Sequence, residues 1–411
     1  MFQNCSLKKS VCLLLFLFLF FNLRAQVNRT DSIRKIKKRD SLNQQEDIKS
    51  VLYKAFKINK SPKKDSAKLE PNALHPSILP AVAYTLSNGV AFDVGISLSK
   101  RLGNPDSTRS SVLSSNSFYS LRQQYELPLI GSIWLDQNKF NILSDARYYR
   151  FPSYTYGLGG SSSLSDYEFI DFSYVSIHEE VLKYLAPNFY GGGGYFMDYH
   201  DIINAVSSKT DFDTYNDGPR TSTSSGIVGQ LKYDDRENLN YPIDASYASV
   251  TYRYNSTLLG SNNNWQSLLL EFRKYIRLSP HSNNVLAFWS WNTITFGGKP
   301  PYFDLPSTGW DISSNMGRGY IQGRFRGTSY YYLEGEYRFG LTKNGLLGGV
   351  VFSNLSAVPE WPSNKIQTID PGDGVGIRIK TNRYSNTNLD VDYGFGIGGS
   401  KGLFFNLGEA F

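Results

Sequence analysis

After Pro71 the chain alternates apolar and polar positions with a period of two. In "VAFDVGISL", Phe92, Val94, Ile96 and Leu98 share one face, and Ala91, Asp93, Gly95 and Ser97 share the other. "LLLEFRKYIR" sets Leu268, Leu270, Phe272 and Ile276 against Glu271, Arg273, Tyr275 and Arg277. "LEGEYRF" separates Leu333, Gly335, Tyr337 and Phe339 from Glu334, Glu336 and Arg338, and "LDVDYGF" separates Leu389, Val391, Tyr393 and Phe395 from Asp390 and Asp392. Period two is the signature of extended strands, whose successive side chains point to opposite faces. About sixteen such segments lie between residues 79 and 411. Short turns at Pro187-Asn188, Asn138-Lys139 and Asn344-Gly345 alternate with long polar connections at 201–223, 297–328 and 358–372.

A soluble sandwich also alternates, but it hides its apolar face. Here the polar face repeats acids and arginines strand after strand, as a lumen lining would, and the other face is apolar and aromatic. A charge facing lipid costs roughly 2 to 4 kcal/mol at mid-membrane, so the alternation is kept strict there. The pattern predicts an all-β fold, a transmembrane antiparallel β-barrel of about 16 strands over residues 71–411 behind a short helical or disordered N-terminal tail. An even strand number puts both ends on one side, with the short turns, and the long loops on the other. In the closing "LFFNLGEAF", Leu403, Phe405, Leu407 and Phe411 are assigned to one face, and Phe411 is read as a C-terminal assembly signal.

The region before Pro71 is different. Lys8 and Lys9 precede an apolar run from Val11 to Phe21, with Ala25-Gln26 as the cleavage point, so residues 1–25 read as a secretory signal peptide. Cys5 and Cys12 both fall inside it, which leaves the mature chain without a disulfide, a thiol nucleophile or a zinc-thiolate site. Residues 26–70 form a basic periplasmic tail. Within it Ile48, Val51, Leu52, Ala55 and Phe56 follow helical spacing. Two readings stay open for that stretch: a short helix docked on the barrel's periplasmic mouth or partly disordered, and a helix lying on the membrane surface.

Composition and charge sharpen the picture. Aromatic residues make up 15% of the chain, with 29 tyrosines and 36 glycines, as suits a membrane barrel. Of the formal net charge of +7, the first 70 residues carry +10, which leaves −3 on the rest. A nucleic-acid-binding domain would place its basic surface on the folded part, so that function class is excluded. No cofactor or metal is expected. His75, His178, His200 and His281 share no metal-ligand spacing. "YGGGGY" around Gly191 to Gly194 lacks the Lys-Ser/Thr of a phosphate loop, and Asp211, Asp213 and Asp217 lack the spacing and closing Glu of a calcium loop. His178 beside Glu179 and Glu180 is the nearest approach to catalytic chemistry and reads as part of a lumen-facing strand. No enzyme activity is expected.

Four short motifs then carry a resemblance. "GRGY", Gly317 to Tyr320, sits in the long loop after the eleventh strand and resembles the Arg-Gly-aromatic loop of the BamA/TamA superfamily of outer-membrane insertases and translocators, the bacterial surface antigen family. "FPSYTYGLGG" resembles that family's Phe-Pro and Tyr-Gly-x-Gly, through Phe151, Pro152, Tyr156, Gly157 and Gly159. "DDRENLNYPIDA" resembles its Asp-x-Arg and Pro-x-x-Gly turn, through Asp234, Arg236 and Pro242, and "GEYRF" resembles the strand that follows the loop, with Glu336. Ala245 stands where the turn expects Gly, and Asn354 where an inward Asp is common. The 45 residues before Pro71 cannot supply the family's periplasmic polypeptide-transport-associated domains, so a barrel-only form is expected.

The resemblance implies that the Arg318 loop folds back into the lumen as a latch. Arg318, Gly319 and Tyr320 would meet inward acids there, with Glu334, Glu336, Asp390 and Asp392 available and Glu336 favoured. The alternative is a solvated external loop. It further implies a protein of the Gram-negative outer membrane with both termini periplasmic, assisting insertion or translocation of polypeptides or lipid-linked molecules. Its partners would be outer-membrane lipid, client outer-membrane proteins and periplasmic partners of the basic tail. The working surface would be the seam between a short first strand carrying Pro80 and a final hairpin with Gly396, Gly398, Gly399 and Gly402. A passive pore, a structural accessory subunit and a membrane enzyme are the competing classes.

Overall fold

A computed structural model describes residues 45–55, 73–85, 87–104, 107–206, 214–215, 220–280, 282–383 and 385–411. The signal segment, most of the basic tail, His281 and the acids Asp211, Asp213 and Asp217 lie outside the described residues. The strands are β1 His75–Thr85, β2 Gly89–Lys100, β3 Ser111–Ser120, β4 Tyr125–Trp134, β5 Phe140–Arg150, β6 Ser153–Thr155, β7 Glu168–Ala186, β8 Phe189–Val206 and β9 Thr221–Asp234. They continue with β10 Ala245–Asn255, β11 Trp265–Arg277, β12 Val285–Phe296, β13 Ser329–Gly340, β14 Leu347–Ala357, β15 Asp370–Asn382, β16 Thr387–Gly396 and β17 Lys401–Leu407. All belong to one antiparallel sheet. Strands β5 and β6 form a single stave, because both pair with β7, Arg150 opposite Ser173 and then Ser153 opposite Ile170. The break between them falls at Phe151-Pro152, where proline offers no N–H to a ladder. Sixteen staves result, and β17 lies beside β1 to close the barrel.

The alternation decides which residues face in. Phe92, Val94 and Ile96 on β2, Leu333 and Tyr337 on β13, and Tyr393 and Phe395 on β16 are exposed on the outer surface. Their neighbours Glu334, Glu336, Arg338, Asp390 and Asp392 are at most 2 % exposed. An apolar exterior around a charged interior is the inverse of a water-soluble protein, and it makes this a membrane-spanning barrel. Glu179 departs from its sequence reading. Period two turns His178 and Glu180 inward and Glu179 outward, where it accepts a hydrogen bond from Ser144 Oγ at 2.5 Å.

Three further expectations are corrected. Strand β8 runs to Val206, so the connection expected at 201–223 is mostly hairpin at its start. Strand β1 is not short: it has eleven residues and pairs with β2 along its full length, Pro80 opposite Val94 included. The short closing strand is β17, with seven residues, and Gly398 and Gly399 serve the turn before it with φ of 65° and 81°. Finally, Phe411 does not share the lipid face of Leu403 and Leu407. Gly408, at φ 99°, turns the chain off the strand, and Phe411 is buried inside at 3 % exposure.

Helix α1, Ile48–Ala55, begins at Asp47, whose Oδ1 accepts from Ser50 N at 2.8 Å. Glu46 N donates to Asn344 O at 2.9 Å, and Arg383 N donates to Asp47 Oδ2 at 3.4 Å. The helix therefore touches the rim formed by the β13–β14 and β15–β16 turns. Among the described residues no helix is long and apolar enough to cross a membrane.

Candidate functional site

The connection between β12 and β13, residues 297–328, enters the lumen. Its own backbone keeps it compact, with Thr308 N donating to Phe325 O at 3.0 Å and Gly323 N to Thr308 O at 2.9 Å. Burial then fixes its position. Met316, Tyr320 and Phe325 pack with the inward Tyr275, Trp289, Tyr330 and Tyr332 in one core, while Tyr302 and Leu305 join Tyr149, Phe151 and Phe172 in another.

Arg318, in the second half of this loop, is fully buried. Its Nη2 donates to Glu334 Oε1 and Glu336 Oε1, its Nη1 donates to Asp392 Oδ2, and its guanidinium lies 3.9 Å from the Phe352 ring centroid. Burial opposes the positive charge, but the three carboxylates outweigh it and hold the guanidinium protonated, well above its ordinary range. Asp390 is not part of this cluster. It points to the next cation along, with Oδ2 3.1 Å from Arg378 Nε. Asn354, the departure from the family pattern, uses its amide to donate to the Arg318 carbonyl at 2.9 Å.

Gly319 and Tyr320 lie in a trough that inward glycines open on β15 and β16. A Cβ on Gly394 would come within 2.7 Å of Gly319 N, so any larger residue would push the loop off the wall. Tyr320 OH donates to Pro371 O and accepts from Ile397 N at 3.1 Å, and Ser400 Oγ donates to Gly319 O at 2.8 Å. The other two loop arginines use a different chemistry. Arg326 Nη1 donates to the carbonyls of Tyr302 and Leu305, both at 3.1 Å, and Arg324 Nη1 donates to Ser162 Oγ at 2.8 Å. Arg324 also faces the Tyr156 ring, and Gly159 N donates to Arg326 O at 2.8 Å. The "FPSYTYGLGG" segment thus meets the "GRGY" loop, although some 160 residues separate them.

The turn motif forms a local lock at the opposite rim. Arg236 donates to both oxygens of Asp234, at 2.9 and 3.0 Å, and stacks over Tyr247 at 4.4 Å, with Pro242 buried nearby. The positive φ of the turn belongs to Asp244, at 53°, so Ala245 can open β10 without strain.

Sequence reasoning missed two clusters. Arg338 and Arg378 bracket Arg318, and Glu409 reaches both, at 3.5 Å and 2.9 Å. Period two places Arg338 of "GEYRF" inward, and the same parity applied to "GIRIK" would have found Arg378. Elsewhere Asp198 gathers Tyr174 OH, His178 Nε2 at 2.9 Å and Arg253 Nη1 at 2.5 Å, beside Asp304 and His200. Ser224 Oγ donates to Asp304 Oδ2 at 2.5 Å in the same cluster, and no group of three potential metal ligands occurs among the described residues. A cavity of about 130 Å³ lies between this cluster and the loop, lined by Glu126, Arg147, His178, Trp310 and Gln322 among others.

No family model matches the chain, and no curated protein does. Solved structures do. BamA from Haemophilus ducreyi lacking POTRA domains 1–3 superposes with a TM-score of 0.56 at 14% identity, over 81% of this chain and 68% of that one. CdiB from Acinetobacter baumannii gives 0.51 at 13% identity, over 85% and 68%. The fold is that of the BamA-type barrels. At such low identity the common feature is architecture, and within this BamA-type fold the lumenal loop, the inward acids and the short closing strand are this chain's own observations.

Proposed function

We propose that this barrel works in the outer membrane of a Gram-negative bacterium, where it assists insertion or translocation of polypeptides or lipid-linked molecules without enzymatic chemistry. Both chain termini would face the periplasm, lipid would surround the outer belt, and the basic tail would recruit clients or periplasmic partners. The working surface is the seam between β1 and β17. A strand edge freed there presents unpaired N–H and C=O groups that template an incoming strand.

One observation carries this reading over a passive pore: the lumen is occupied. Loop 297–328 fills it from one mouth, with Arg318 fully buried, and Glu409 to Phe411 enter from the other. Depletion of the protein followed by an inventory of outer-membrane proteins and lipids tests the reading. Loss of a defined subset is expected. An unchanged inventory, together with steady ion conductance by the purified barrel, would leave the pore.

A further inference from the structure

The buried charges around Arg318 form a closed ring. Arg318 pairs with Glu336, which accepts from Arg338 Nε at 2.6 Å. Arg338 Nε faces Glu409 Oε2 at 3.5 Å, and the same oxygen accepts from Arg378 Nε at 2.9 Å. Arg378 donates to Asp392, which returns to Arg318. Three cations and three anions alternate, all at most 4 % exposed at the side chain. Only one member lies beyond the last strand. Glu409 lies two residues past β17, and it enters the ring because Gly408 turns the chain inward.

The residues after Glu409 reinforce the contact. Asn315, three positions before Arg318, donates from Nδ2 to Ala410 O at 2.8 Å. The Phe411 ring lies 5.3 Å from Trp289 and 6.2 Å from Tyr275, and its carbonyl accepts from Arg338 Nη2 at 3.1 Å. Asn388 Nδ2 completes the seat by donating to Glu409 Oε1 at 2.9 Å.

We propose that Glu409–Phe411 is an internal clasp that couples the closing strand to the lumenal loop, so that β17 and loop 297–328 release together. β17 cannot leave the barrel wall without drawing Glu409 out of the ring. That extraction opens the ring at Arg338 and Arg378, which keep Glu336, Asp390 and Asp392, and it takes the Ala410 acceptor from Asn315 in the loop. A buried donor left without its acceptor disfavours the remaining arrangement, and the loop loses its seat on the same side. The clasp therefore keeps the seam shut until an event that opens the strand also clears the lumen. This coupling does not depend on what passes the seam.

Hydrogen–deuterium exchange of the full chain, folded in detergent micelles, follows the two segments separately. In Glu409→Gln, peptides covering 403–411 and 308–327 are both expected to exchange about tenfold or more faster than in the unaltered protein, and by the same factor. Faster exchange confined to 403–411, with 308–327 protected as before, would overturn the clasp. Should Glu409→Gln fail to fold, Asn315→Ala reads the coupling in the other direction. It removes the loop's own hydrogen bond to Ala410 and leaves the charges in place, and faster exchange across 403–411 is expected; an unchanged rate there overturns the proposal. Either result stands apart from the inventory of clients, which can fail while the coupling holds.

Discussion

Arg338 on β13 donates from Nη2 to the carbonyl of Phe411 at 3.1 Å, and its guanidinium lies 5.0 Å from the centroid of the Phe411 ring. Through Nε it also holds Glu336 at 2.6 Å. One planar fork serves an acid, a carbonyl and an aromatic face, which the point charge of an ammonium cannot do. Arg338→Lys should therefore lower the heat resistance of the folded barrel by an amount corresponding to about 1–3 kcal/mol. The folded fraction on gels after graded heating measures this, and a midpoint equal to that of the unaltered protein would remove Arg338 from the stabilising set.

Arg318→Ala strands Glu334, Glu336 and Asp392 without their common cation. Breaking a buried pair from one side costs about 3–5 kcal/mol, so this change should be the most damaging in the loop. Glu336→Gln leaves two acids on Arg318 and should cost less. The double variant should fall short of the sum by about 0.5–3 kcal/mol. Strict additivity in thermal unfolding would show that the two side chains do not interact.

The glycine trough can be tested without touching a charge. Gly394→Ala places a methyl group 2.7 Å from Gly319 N, whereas at Gly229 the nearest atom is 3.9 Å from the new Cβ. Gly394→Ala should expose loop 297–328 to protease from the outside, and Gly229→Ala should not. Equal protection in both variants would mean that the loop does not depend on close contact with β16.

Asp304, in the loop, has its pKa raised from 3.8 to about 7, by burial first and then by the charge of Asp198. An acid with a raised folded pKa binds its proton more tightly when folded. Its contribution is complete below the unfolded value and is lost as pH rises through about 7. The loop should thus be held more tightly at a pH of about 5 than about 8, and Asp304→Asn should flatten the difference. Protease protection of the loop across this range checks it; an unaltered slope in Asp304→Asn assigns the dependence to another group.

Deleting residues 27–70 removes α1 and its contacts with Asn344 and Arg383 at the rim, but no strand among the described residues. The shortened chain should still fold to a heat-resistant barrel, as judged by gel mobility. Failure to assemble would make the tail part of the structure.

Strand parity was legible in the sequence because it is a local property of the extended backbone. Phe92 and Val94 facing out, and Glu334, Glu336 and Asp392 facing in, needed only period two and the large free-energy difference between lipid and lumen. The same rule turned Glu179 outward once applied strictly. What parity could not decide is which inward groups meet. Asp390 and Asp392 share a face, yet only Asp392 reaches Arg318, because that choice depends on how deeply the loop descends. Phe411 continued the apolar pattern of β17 on paper, but a single residue at Gly408 turns it through the wall to Trp289. The charge ring joins positions 318, 336, 338, 378, 392 and 409 through barrel closure, and pairings at such separations are set by tertiary packing that no local periodicity encodes.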